Sequence, residues 1–123
     1  TEEPLAHSAR QNGAPQTYAE HVVNVVNGAR ERAEAMAACH RDASIRAKLI
    51  AATVDGARFH DLGKLDPDIQ AALRQGRDAK LCWDHVDAGV AYLMAHGAET
   101  AAWIVRGHHA PGLPSRPHPF TMK

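Results

Sequence analysis

Nine histidines among 123 residues are a surplus that packing does not explain. His21, His60 with Asp61 directly after it, His85 and the pair His108-His109 have the types and placing that could do chemistry. Imidazoles with a carboxylate suit a divalent transition metal, whereas an all-oxygen set suits magnesium or calcium. The neighbours His60 and Asp61 have a specific use: the imidazole takes one ion, and the two carboxylate oxygens can bridge two. Two ions about 3.5–4 Å apart are the standard apparatus for in-line phosphodiester cleavage, activating a water and stabilising charge on the attacking and leaving oxygens. A histidine met singly on a helix is more often structural or solvated than a ligand, and His7, His40, His96 and His118 are read that way. Ser8 has no base placed by any motif, which argues against a serine hydrolase. Cys39 and Cys82 are too few and too far apart for a disulfide framework or a thiolate zinc cage.

These side chains must be carried by helices. Apolar residues make up 45% of the chain, much of that alanine, and aromatics only 5%, a balance that favours closely packed helices over sheets. Thr17-Tyr18-Ala19-Glu20 fits a capping box, after which Val22, Val25, Val26, Ala29, Ala33 and Met36 recur at helical spacing to about Ala38. A second helix begins near Asp42–Ser44, carries Ile45, Leu49, Ala52 and Ala57 towards His60, and is expected to close with Gly63 in the left-handed conformation. Asp66-Pro67 opens a short third helix through Ile69, Ala72 and Leu73 to Gly76. Asp84 can cap a fourth, with Val86, Val90 and Leu93 leading to Gly97, and a fifth runs from about Glu99 through Ala102, Trp103 and Val105 to His108-His109. Residues 1–16 and 111–123, broken by proline and glycine, are expected to be irregular flanks, and no strand is expected. The expectation is one all-α domain over residues 1–123, forming part of a longer chain or complex. The candidate ligands then stand at helix ends, where a bundle can gather them round one cavity.

The order and helical setting of His21, His60-Asp61-Leu62-Gly63-Lys64, His85 and His108-His109 resemble the HD metal-dependent phosphohydrolases. More narrowly, the chain is similar to the HD nuclease of type I CRISPR interference. The matching stretches are Leu5-Ala6-His7-Ser8, Glu20-His21-Val22, Phe59 to Lys64 with Pro67-Asp68-Ile69-Gln70, His85-Val86-Asp87-Ala88-Gly89, and His108-His109. The resemblance implies an HD-domain helical bundle in which His21, His60 and Asp61 hold one metal. It implies that Asp61 bridges to a second, held by His85, His108 and His109. One or two divalent ions are implied, Mn, Fe, Co, Ni or Zn, with Mg as a further option. Asp61 and Lys64 are the implied catalytic residues, Lys64 holding a scissile phosphate or steadying its developing charge. The family supplies one more Asp to the first metal, from a helix well beyond the paired histidines. No acidic residue follows His109 here, so either the given residues omit that part or the first position is incomplete, and as the sequence stands the second is expected to fill more readily.

The implied function is hydrolysis of single-stranded DNA in antiviral defence. The implied partners are a CRISPR helicase, fused or separate, and an RNA-guided surveillance complex, in a prokaryotic cytoplasm. With 14 basic and 14 acidic residues, contact with DNA must be local rather than driven by bulk charge. Trp83, Arg74, Arg77 and Arg106 are the candidates for it, through stacking and phosphate contacts. The start of the sequence lacks the features of a secretory signal, and no apolar run approaches the roughly 18 residues of a membrane span, so no membrane is expected. A cyclic-dinucleotide or nucleotide phosphodiesterase is the nearest enzymatic alternative. The residues after the paired histidines, Ala110 to Arg116, lack the acidic residue and the Gly-Tyr-Pro signature of one such kind. A non-catalytic metal-binding scaffold domain of a CRISPR effector is the alternative of another class.

Overall fold

The computed structural model describes residues 2–9, 13–76 and 86–109. Among them the chain runs through strands β1 (Leu5–His7) and β2 (Gln16–Thr17), helices α1 (Tyr18–Ala37) and α2 (Ala43–Phe59), and a 3-10 turn (Leu62–Leu65). Helices α3 (Pro67–Arg74), α4 (Val86–Ala95) and α5 (Glu99–His109) follow. The all-α expectation holds for the body of the molecule. The caps expected at Thr17, Asp42 and Asp66 form, while Asp84 lies outside the described residues. Thr17 Oγ1 accepts from the Glu20 amide while Glu20 reaches back to the Thr17 amide. Asp42 and Asp66 each accept two amides of the following turn, with Pro67 leading α3.

Two expectations about the backbone need correction. The flank over residues 1–16 contains a small antiparallel sheet, pairing Leu5 with Thr17 and His7 with Gln16. It escapes a pattern search because two or three residues are too few to show alternation, and because side chains hold it. The Gln70 amide accepts from the Leu5 N–H and donates to the Leu5 carbonyl, doing the work of a neighbouring strand. Gly63 does not take the left-handed conformation; the chain tightens into the 3-10 turn instead, and positive φ falls on Gly76 and Gly97. At Gly97, with φ 72°, the Ala98 amide reaches the Leu93 carbonyl and the Gly97 amide reaches Met94, closing α4.

Helices α1 and α2, joined by the short turn at residues 38–42, form a helical hairpin. From His21 to the turn is about 24 Å of helix, and from the turn to His60 about 26 Å. Equal arms bring the first residues of α1 beside the last of α2. Helix α5 also packs against α2, where Gly56 lies against the Ala101 carbonyl and Ile104. Val90, Leu93, Ala101, Ala102 and Val105 make a buried cluster between α4 and α5. Ile69, Ala72 and Leu73 bury the face of α3, and Trp103 is half-buried. The apolar stripe of α1 is covered only in part: Ala33 is buried, Val22, Val25, Val26 and Ala29 are half-buried, and Met36 is 74% exposed.

Two glycines carry opposite expectations. A Cβ on Gly89 would run into the Phe59 carbonyl oxygen, so only glycine lets α4 lie against the end of α2. Backbone cannot yield as a side chain can, and Gly89→Ala is expected to cost about 2–3 kcal/mol or more. Gly28 meets nothing within 4 Å, so Gly28→Ala is expected to gain about 0.5–1 kcal/mol from helix propensity. Thermal unfolding of the two variants checks both; a Gly89→Ala protein as stable as the parent would contradict the packing.

Candidate metal centre

The helical hairpin delivers His21 and His60, 39 residues apart in sequence, to within 3.3 Å of each other through their Nε2 atoms. Asp61 lies just past the end of α2, where the backbone leaves the helix for the 3-10 turn. Its Oδ2 stands 3.0 Å from His21 Nε2 and 3.1 Å from His60 Nε2. The outer nitrogens fix how these rings are protonated. His60 Nδ1 is 2.7 Å from the Ala57 carbonyl oxygen, which can only accept, so that nitrogen donates. His21 Nδ1 likewise donates to Gln16 Oε1 at 3.2 Å. Neutral rings with those protons outside present Nε2 lone pairs to one another and to the carboxylate, whereas a protonated ring donates Nε2–H to Asp61.

Three such atoms this close need a proton or a metal ion among them. Ligand atoms bound at about 2.0–2.2 Å stand about 3.0–3.4 Å apart in octahedral or tetrahedral geometry, which is the observed spacing. His21, His60 and Asp61 are accordingly a group that could hold a metal ion. Oxygens on both outer nitrogens are the usual means of orienting metal-bound histidines. Two imidazoles and one carboxylate favour a divalent transition ion.

Charge within the cluster follows from burial and neighbours. Burial alone would raise the Asp61 pKa, but hydrogen bonding and charge from His60 and Lys64 hold it well below the ordinary carboxylate range. Burial lowers His21, an effect its Asp61 contact only partly offsets. His60 is also pressed down by burial, but its bond to Asp61 and the carboxylate charge leave it raised. Tyr18 is raised, first by burial and then by the nearby Asp61 charge.

Lys64 is 7% exposed. Its Nζ donates to Asp61 Oδ2 at 3.2 Å and to the Ala6 carbonyl at 3.1 Å. The ammonium thus neutralises the carboxylate and ties it to β1. His108, on the last turn of α5, brings its ring to 5.9 Å from that of His60, edge to face. With His21 and His60 it lines a cleft of about 640 Å³ between α1, α2 and α5. His85, Trp83 and Arg77 lie outside the described residues, as does the side chain of His109. Arg74 is ion-paired with Glu2 at 2.7 Å, and Arg106 is exposed on α5.

Sequence reasoning missed Arg32, His7 and Gln16. Arg32 lines the same cleft. A signal for it existed, since it follows His21 by eleven residues, three turns along one helix face. The sequence reads His7 as structural or exposed, yet its ring stands edge to face on His21, centroids 5.0 Å apart. Only the unforeseen sheet could have revealed it or Gln16. His40 and His96 have local roles, on the Asp42 amide and on Tyr92 respectively. Ser8 is buried and donates to the Leu73 carbonyl. No family model matches the chain, and no curated protein or solved structure matches it.

Saturation with Mn, Co or Zn is expected to raise the melting temperature, by about 2.7 kcal/mol of added stability at a hundredfold excess over Kd. Asp61→Ala should erase the shift. Metal affinity should fall as pH drops through the histidine range near ~6.5, because each imidazole must be neutral to bind and His60 holds its proton to higher pH than an ordinary histidine. Melting curves across pH and metal test both; a shift retained in Asp61→Ala would exclude the centre described.

Proposed function

We propose that the protein is a metal-dependent deoxyribonuclease that hydrolyses phosphodiester bonds of single-stranded DNA. Its proposed setting is CRISPR interference, beside a helicase and an RNA-guided surveillance complex. The observation that carries this reading is the convergence of His21 Nε2, His60 Nε2 and Asp61 Oδ2 at 3.0–3.3 Å. Its further support is the run from His60 to Lys64 with His21, His85 and His108-His109, the pattern shared with HD phosphohydrolases. In this reading His21, His60 and Asp61 hold one ion, and Asp61 with His85, His108 and His109 holds a second. A bound divalent ion supplies Lewis-acid activation of water and neutralises charge on the phosphoryl oxygens.

The chain's own residues do the rest. The Ala57 carbonyl and Gln16 keep the protons of the two imidazoles on the outer nitrogens. His60 and Lys64 keep Asp61 ionised in a buried setting. Arg32, about 16 Å along α1 from His21, offers a planar guanidinium to a phosphate farther down the cleft.

Metal-stripped protein incubated with labelled single-stranded DNA, blunt duplex and cyclic dinucleotides, across Mg, Mn, Fe, Co, Ni and Zn, tests the proposal. Cleavage is expected for single strands with a transition metal, and its loss in Asp61→Ala. Arg32→Ala is expected to raise KM several-fold with kcat nearly unchanged. Hydrolysis confined to cyclic dinucleotides would make the protein a signalling phosphodiesterase, and saturated metal without any hydrolysis would make it a scaffold.

A further inference from the structure

His21 is held at both ring nitrogens. Gln16 takes its Nδ1 and the Asp61–His60 pair faces its Nε2. The Cβ tether and these partners set the plane of the ring, but a 3.2 Å hydrogen bond to Gln16 still tolerates tilting. A lone pair lies in the plane of its ring, so tilting carries it away from any ion between His21, His60 and Asp61. The ring of His7 meets His21 at 84° with centroids 5.0 Å apart, which limits that tilt.

The strand carrying His7 is anchored on both sides of it. Gln70 takes both backbone groups of Leu5, Lys64 takes the Ala6 carbonyl, and the buried Ser8 hydroxyl donates to Leu73. His7 is also the register partner of Gln16. The two-stranded sheet therefore grips His21 with neighbouring residues, one through a hydrogen bond and one through a ring. We infer that His7 is a positioning residue of the metal centre, acting through His21 by limiting the tilt of the plane in which that imidazole presents Nε2. The inference rests on the His21–His60–Asp61 group being a metal centre, and is independent of what that centre hydrolyses.

Titration of the metal-stripped chain with Co²⁺, followed by its d–d absorption, is the test, with melting of the metal-free proteins as the control for folding. His7→Ala is expected to weaken Co²⁺ binding about 10–100-fold, the usual cost of losing a group that orients a ligand. His7→Phe keeps a ring against His21 and is expected to bind within about threefold of the parent, with the same spectrum. Parent-like affinity in His7→Ala would overturn the inference. So would a His7→Phe protein as weak as His7→Ala with an altered spectrum, since His7 would then be supplying a nitrogen to the ion. Failure of the parent itself to bind Co²⁺ would remove both the centre and the inference. A parent that binds Co²⁺ but cleaves no DNA would remove only the nuclease reading.

Discussion

Burying a carboxylate costs several kcal/mol unless charged partners surround it, and at Asp61, 3% exposed, Oδ2 alone gathers three of them. Oδ2 lies within 3.0–3.2 Å of His21, His60 and Lys64. Those partners come from the start of α1, the end of α2 and the 3-10 turn. Lys64 extends the connection to the Ala6 carbonyl, and so to β1. A site that can hold a metal and the joint between the helical hairpin and the sheet are therefore the same atoms. Loss of Asp61 would remove a ligand and leave an ammonium buried without its counter-charge.

The arrangement also depends on close approach. Glycine at 89 lets α4 touch the backbone at the end of α2, and close to that end Gly56 packs against the Ala101 carbonyl and Ile104 of α5. Small residues at these crossings hold α5 near enough for His108 to reach the ring of His60. Across the cleft from α5, α1 carries small residues. Gly28, Ala29 and Ala33 thus form a wall of the cleft that begins at His21 and His60. The partial exposure of the α1 stripe is a consequence of that cleft.

Helix positions were largely legible in the sequence because their signals are local. A capping box at Thr17, caps at Asp42 and Asp66, and glycines at 76 and 97 act within a few residues of where they stand. The pair His60-Asp61 was legible as chemistry for the same reason: adjacency puts an imidazole and a carboxylate together whatever the fold. The sheet was not legible, since its first strand is held by Gln70 and Lys64, nearly sixty residues or more away. Nor was the destination of Lys64. A lysine after a helix looks solvated until a strand and a carboxylate are seen to close round it.

By itself, then, the sequence determined the helices, their ends and the residue types able to bind a cation. Propensity, capping and periodicity depend on neighbours within a turn or two, and these suffice to place each histidine on its element. Tertiary structure alone decided which of them meet. It set His21 against His60 through the equal arms of the hairpin, turned their Nε2 atoms inward by occupying the outer nitrogens, and brought His7 to the site on a strand. Those outcomes depend on lengths and angles summed over dozens of residues. The direction of a lone pair is set by whichever distant carbonyl or amide captures the other side of the ring.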